Sequence, residues 1–395
     1  MKILLVGGGS GGSVSPLLAV AKHILKTSPK AEFLLVGTKN GPEQMMAKND
    51  GINFVAVTAG KWRRYFSLLN FLTPFLIIAG FLQSFKIINN FKPNCVFGTG
   101  SFVQVPLIWA AWFLKIPVVL HQQDAAPSLA NKLCELCASK ITVTFPHSAQ
   151  NFSTNLGIFY KKHPGDKIAV TGNPFREELR VGDKTEAQKF FNLRADMPTL
   201  LVLGGGTGAE FINNLIMEAL PQLSKIVQII HSTGPGKFTP LEAVINRGMK
   251  KGCYFWGGKQ PGGPKEPLTG FKPKVADNYH QFEFIDNMAA AYAASDIVLS
   301  RAGLSTLTEL SNLRKLSIIV PMPDSHQEVN GMLLSKLDAA IVVRQKKLVP
   351  ENLIGLIRKL LFAHELGETL KHNIGQIMPH EANEKISEII LKLVG

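Results

Sequence analysis

Residues 2–26 read KILLVGGGSGGSVSPLLAVAKHILK. An apolar run, Lys2 to Val6, stops at a glycine-rich stretch, Gly7 to Gly12, and gives way to apolar residues at helical spacing. Strands buried on both faces read as unbroken apolar runs, and a glycine loop between such a strand and a helix opens a doubly wound α/β unit. Ser15 followed by Pro16 predicts the N-cap and first residue of that helix. The same order returns about half a chain later: Thr199 to Leu203, then GGGTGA from Gly204 to Ala209, then a helix from about Glu210. Two successive Rossmann-like α/β domains are therefore expected.

Phe284 to Glu309, FIDNMAAAYAASDIVLSRAGLSTLTE, repeats the strand-turn-helix order. Asp296 to Ser300 has strand length, Arg301 to Gly303 is a tight turn, and Ser305 or Thr306 is placed to cap the next helix. Such a helix start aims backbone N–H groups and a positive dipole end at one point, which suits a phosphate. Glu309 follows a turn later, where a carboxylate can accept from a ribose diol. An ordinary βα turn with a capping-type acid fits the same residues. Further strands are read at Asn94 to Phe97, Ile116 to Leu120, Lys140 to Thr144, Lys167 to Val170 and Leu316 to Pro321. Two polar groups sit at strand ends, His121 to Asp124 and Asp324 to Asn330. TGNPFR, Thr171 to Arg176, marks a hinge, and Ile386, Ile389, Ile390 and Leu393 share one face of a terminal helix.

Composition narrows the classes. The 395 residues are 46% hydrophobic and 18% charged, which suits compact domains with full cores, not a disordered chain. The formal charge of +14 favours an acidic partner: nucleic acid, a phosphorylated substrate or an anionic membrane. Lysines and arginines are scattered and no nucleic-acid module is recognisable, so nucleic acid is not the expected partner. The start lacks the apolar core and cleavage site of a signal peptide, and a reducing, cytosolic setting is expected.

Both glycine loops match G-x-G-x-x-[GA], the dinucleotide fingerprint, but the acid required at the end of the following strand is missing. EFLLVGT ends in Gly37 and Thr38, and VQIIHST in Ser232 and Thr233. No G-x-x-x-x-G-K-[ST] and no D-x-D occurs, so neither a P-loop nor a metal clamp on a diphosphate is expected, and no cofactor is implied. Cys134 and Cys137 form an isolated C-x-x-C, read as two buried helix thiols rather than a zinc site. His326 is read as a hydrogen-bonding loop residue, and GGKQPGGPKEPLTGFKPK, residues 257–274, as a mobile surface loop. Between Lys61 and Lys92, Phe71, Phe75, Ile78, Leu82 and Phe85 follow helical spacing among flanking cations. A helix lying on anionic lipid and a core helix of the first domain are both open readings.

The ordered set GGGSGGSVSPLLAVA (7–21), GTGSFVQVP (98–106), IPVVLHQQD (116–124), TGNPFR (171–176), the 284–309 stretch and HQEVNG (326–331) resembles the MurG family over nearly the whole chain. These are glycosyltransferases of GT-B fold that add N-acetylglucosamine to lipid I in peptidoglycan synthesis. The resemblance implies two Rossmann-like domains facing a cleft: an acceptor- and membrane-binding domain over 1–172, a UDP-sugar domain over 173–378, and a helix over 379–395 packing back on the first. It implies UDP-N-acetylglucosamine as donor, a polyprenyl-diphosphate-linked acceptor and no metal. The enzyme would sit peripherally on the cytoplasmic face of the plasma membrane, with the Lys61 to Lys92 region docking on anionic lipid.

By position, the resemblance puts Ile285 at the uracil, Glu309 at the ribose, and Leu304, Ser305 and Thr306 at the diphosphate. Arg176, Gly206, Thr207 and Gln327 also match donor positions, and Ser10, Gly11, Gly12 and Asp124 border the donor. Gly9, Ser10, Gly11, Gly12, Gly98, Thr99, Gly100 and Ser101 correspond to loops receiving the acceptor diphosphate. The chain departs from the family where a histidine candidate base is replaced by Ser13, where the asparagine of H-E-Q-N is Asp124, and where serine-glutamine is Gly206-Thr207. Asp124 is the expected base, with Ser13 orienting the attacking hydroxyl, because a serine alone does not act as a base at neutral pH. Transfer to another lipid acceptor, sugar-nucleotide binding without transfer, and a dinucleotide oxidoreductase are the alternatives.

Overall fold

The structure, a computed structural model, describes residues 1–60, 69–156, 167–206, 208–237 and 278–395. The chain divides into two compact units, Met1–Arg176 with Met378–Gly395, and Glu177–Ile377.

The first unit is built on β1 (Lys2–Val6), β2 (Glu32–Gly37), β3 (Asn53–Ala56), β4 (Cys95–Gly98), β5 (Val118–Gln122), β6 (Lys140–Val143) and β7 (Ile168–Val170). They form one parallel sheet in the order β3-β2-β1-β4-β5-β6-β7. The direction of winding reverses between β1 and β4, where Val6 pairs with Gly98. Ile3 to Val6 are fully buried, as a central parallel strand covered on both faces requires.

The helix after β1 runs Gly11–Thr27 and so begins a full turn before the expected Ser15; Ser10 is its N-cap and Pro16 lies inside it. Packing, not cap chemistry, sets that start. A Cβ on Gly7 would fall 2.7 Å from Leu17 Cδ1 and 2.8 Å from the Ser13 carbonyl, so only glycine lets the strand run this close to the helix. The terminal helix, Ala382–Val394, packs on Gly11–Thr27 within the first unit and buries Ile386 and Ile390 completely. Each such isoleucine contributes roughly 1.5–3 kcal/mol.

The second unit carries β8 (Thr199–Leu203), β9 (Gln228–Ser232), β10 (Tyr279–Phe282), β11 (Ile297–Ser300), β12 (Ser317–Ile319) and β13 (Ile341–Val342). Its parallel sheet runs β10-β9-β8-β11-β12-β13, with the reversal between β8 and β11 and Leu203 paired to Ser300. The helix after β11 runs Leu304–Asn312 with Gly303 as N-cap and no side-chain cap bond. Ser305 and Thr306 thus lie inside its first turn rather than capping it.

Two further expectations change. His121 and Gln122 belong to β5 and are buried, so the polar strand end begins at Gln123; each finds buried polar partners, which lets the strand continue through them. Cys134 ends the helix Leu129–Cys134 and is buried, but Cys137 closes a 3₁₀ turn and is only half-buried. Residues 61–68 of the basic apolar stretch, Thr207 and the 257–274 loop lie outside the described residues.

Candidate active site

In an open parallel α/β sheet, ligands bind beyond the carboxyl ends of the strands where the winding reverses. Both sheets place their glycine loops there. In the first unit the loop after β1 meets the loop after β4: Thr99 Oγ1 donates to the Ser13 carbonyl at 2.5 Å, and the Phe102 ring lies 2.9 Å from where a Gly9 Cβ would be. Gly9 (φ 80°) and Gly100 (φ 92°) take left-handed conformations that disfavour any side chain.

The loop after β5 joins them. Gln123 Nε2 donates to the Thr99 carbonyl at 3.1 Å, and Gln122 Nε2 holds the carbonyls of Asp124 (2.8 Å) and Ala126 (2.9 Å). Beneath, an amide network is continuous: Gly100 N–H donates to Gln104, Gln104 to Asn131, and Asn131 to Gln122. Gly98 to Ser101, the Ser13 turn and Asp124 therefore form one rigid group. Asp124 is half-buried at its rim. Ser13 is differently engaged: its Oγ donates to the carbonyls of Gly8 (3.1 Å) and Ser10 (3.0 Å), closing its own loop. Ser10, at the N-cap, makes no side-chain cap bond.

One residue here escapes sequence reading. Glu43 is fully buried, and its Oε1 accepts from Gly9 N–H (3.2 Å), Thr38 N–H (2.6 Å) and the Thr38 hydroxyl. A Cβ on Gly8, Gly37 or Gly41 would strike it at 2.5 Å or less. An internal carboxylate thus fills the place beside the first glycine loop where a dinucleotide's ribose would have to come. Gly8, Gly37 and Gly41 were the signal in the sequence.

In the second unit Gly206 follows β8, exposed and with open space above it, on a loop closed by Gly208 N–H to the Gly205 carbonyl (2.9 Å). A Cβ on Gly208 would sit 1.8 Å from the Thr233 carbonyl. The neighbouring turn, Arg301 to Gly303, is braced by Arg301 Nη1 to the Val320 carbonyl (3.1 Å) and Asn330 Nδ2 to the Ala302 carbonyl (3.0 Å). It delivers the helix start Leu304, Ser305 and Thr306. Gln327 opens the helix after β12; its Oε1 accepts from Met322 N–H (3.1 Å) and its Nε2 faces Gly303. Glu309 is nearly buried and its Oε2 accepts from the Tyr292 hydroxyl at 2.6 Å. Ile285, just after β10, buries its side chain. Arg176 is the last residue of the first unit and half-buried.

A polar cavity of about 620 Å³ opens elsewhere, at the amino ends of the second sheet's strands among Lys184, Asp296, Lys315 and Glu368. It shares no residue with these loops.

Each sheet also seals in a neutral histidine. His121 Nε2 meets Asn173 Oδ1 at 2.9 Å with Nδ1 at the Thr142 hydroxyl; His231 Nε2 meets Asn213 Oδ1 at 3.1 Å with Nδ1 at the Tyr279 hydroxyl. Burial is the main cause lowering their pKa values, to about 4 and about 3.

Two parallel-sheet α/β units with glycine loops at their crossovers form a GT-B fold. Residues 3–143 match the glycosyltransferase family 28 N-terminal domain and residues 199–385 its C-terminal domain. The chain is 32% identical, over 99% of both sequences, to the UDP-N-acetylglucosamine–N-acetylmuramyl-(pentapeptide) pyrophosphoryl-undecaprenol N-acetylglucosamine transferase of Clostridium kluyveri, and 32% to that of Thermoanaerobacter sp. over the same shares. Among solved structures it is similar to MurG of Acinetobacter baumannii (TM-score 0.67, 23% identity, 99% of each chain). It is also similar to a UDP-GlcNAc 2-epimerase from Neisseria meningitidis bound to UDP-GlcNAc (TM-score 0.64, 18% identity, 99% of this chain and 100% of that). The chain belongs to the MurG family of glycosyltransferases.

Proposed function

We propose that the chain transfers N-acetylglucosamine from UDP-N-acetylglucosamine to undecaprenyl-diphospho-muramoylpentapeptide at the cytoplasmic face of the plasma membrane. The observation that carries this reading is the second unit's crossover, where a helix start with no side-chain cap stands beside an exposed glycine loop and Glu309 lies a turn below. Leu304 to Thr306 and Gly206 take the donor diphosphate, Gln327 supports it, Glu309 takes the ribose diol and the Ile285 main chain the uracil; Arg176 and Thr207 are assigned to the donor by family position. Gly9 to Gly12 and Gly98 to Ser101 take the acceptor diphosphate.

The acceptor hydroxyl attacks the anomeric carbon opposite the diphosphate. Its proton passes to Asp124, the new C–O bond forms with inversion, and the electron pair of the breaking bond leaves on UDP. N–H groups of the helix start stabilise that charge. Radiolabelled UDP-N-acetylglucosamine with the lipid acceptor should yield labelled lipid and one UDP per sugar. Transfer only to a different lipid, or UDP binding without transfer, would overturn the assignment.

Membrane docking is proposed for the first unit. Phe75, Ile78 and Leu82 on the helix Leu69–Phe91, Trp112 and Phe113 on Gln104–Phe113, and Leu129 and Leu133 on Leu129–Cys134 are exposed. Phe85 packs edge-on to Phe113 (5.6 Å) and Trp109 Nε1 donates to the Leu133 carbonyl, so the three helices adjoin. Exposed Lys86, Lys115 and Lys132 accompany them. Among the described residues no helix is long and apolar enough to cross a membrane. Phe75→Asp with Leu82→Asp should cut sedimentation with anionic vesicles by about tenfold or more, since each buried CH₂ is worth ~0.8 kcal/mol. Unchanged sedimentation would exclude this face.

A further inference from the structure

Tyr292 is a fully buried aromatic residue whose hydroxyl, 2.6 Å from Glu309 Oε2, ends on an acid rather than on a carbonyl. It belongs to the helix Met288–Ala294, which is fixed at both ends. Asn287 caps the start by accepting from Ala290 N–H at 3.0 Å, and Ser295 Oγ donates to the Tyr292 carbonyl at 2.9 Å. The chain enters this helix directly from Ile285, so one short element joins the position assigned to the uracil with the side chain assigned to the ribose. A phenol O–H on a carboxylate is a charge-assisted bond, stronger than one to a neutral acceptor.

A glutamate side chain has three rotatable bonds, and ordering such a chain on binding costs conformational freedom. A bond already made from a rigid neighbour removes that cost in advance. We propose that Tyr292 is a positioning residue for the sugar-nucleotide donor: its hydroxyl holds the Glu309 carboxylate in the orientation that accepts the ribose diol. This rests on the reading of Glu309 as the ribose ligand. Tyr292 touches no part of the donor itself and acts only through the acid. The consequence is selectivity: the contribution of Tyr292 exists only for ligands that carry both ribose hydroxyls.

The test measures binding of UDP and of 2′,3′-dideoxy-UDP to the wild type, Tyr292→Phe and Glu309→Gln. Wild type should favour UDP clearly. In Tyr292→Phe, UDP should weaken by up to about tenfold, the scale of ordering one flexible side chain on binding, while the dideoxy analogue changes less than about twofold. In transfer assays the donor KM should rise with kcat nearly unchanged. Tyr292→Met, a flexible apolar side chain without a hydroxyl, should reproduce the split and provides the result if the phenylalanine variant does not fold. Glu309→Gln combined with Tyr292→Phe should weaken UDP no more than Glu309→Gln alone. Equal weakening of both ligands, or unchanged UDP affinity, overturns the role of Tyr292. Equal affinity of wild type for the two ligands overturns the ribose assignment of Glu309 instead.

Discussion

Asp124→Asn lowers kcat by an expected factor of about 10²–10⁴, the usual worth of a positioned general base, and leaves both KM values within a few-fold. Two carboxylates stand at the first unit's glycine loops. Glu43 is sealed inside, spent on Gly9 and Thr38. Asp124 is half-buried at the rim, with its main chain pinned by Gln122 and its neighbour Gln123 bonded to Thr99. The asparagine variant keeps the shape and the main-chain hydrogen bond from Gln122 but is not a base at neutral pH. Ser13→Ala should cost far less, because the Ser13 hydroxyl is directed into the Gly8 and Ser10 carbonyls and serves the loop. Unchanged kcat in Asp124→Asn, with a large loss in Ser13→Ala, would reverse the two roles. The measurement is steady-state UDP release at saturating donor and acceptor.

Acidification from pH 7 towards 4 is expected to remove several kcal/mol of folding stability. The folded pKa values of His121 and His231 are lowered from 6.5 to about 4 and about 3. Between those values and the unfolded value the unfolded chain binds more protons, so stability is full above about pH 6.5 and is lost as pH falls. One pKa unit corresponds to about 1.4 kcal/mol, so the two together weigh against a typical stability of about 5–15 kcal/mol. Burial explains the direction: both rings are fully buried, so the charge added by a second proton would have no water to solvate it. Urea unfolding at pH 7.5 and 5.5 checks this, and His231→Gln should flatten the dependence. Equal stability at the two pH values would show that neither ring resists protonation.

Strands were legible because a parallel sheet buried on both faces needs continuous apolar runs, and β1, β4, β8 and β11 show them with their glycine turns. Helix starts were read less well. Ser15-Pro16 and Ser305-Thr306 carry good capping chemistry, but the chain begins both helices earlier, at Gly11 and Leu304, where tight strand-helix packing and the bend at Gly303 fix the geometry. His121 and Gln122 looked like a polar strand end because their partners, Asn173 and Asn131, come from other segments.

By itself the sequence determined two repeats of strand, glycine loop and helix, and from them the doubly wound halves and the crossover loops, because backbone conformation and hydrophobic periodicity are local properties; the family came from the resemblance of the ordered motifs. Tertiary structure alone decided which charged side chains are buried on internal partners and which stay at a loop rim. Glu43 reaches Gly9 across 34 residues and Tyr292 reaches Glu309 across 17, and bonds of that reach exist only once the sheets have formed. No periodicity encodes them, since a hydrogen bond depends on distance and direction in space rather than on spacing along the chain.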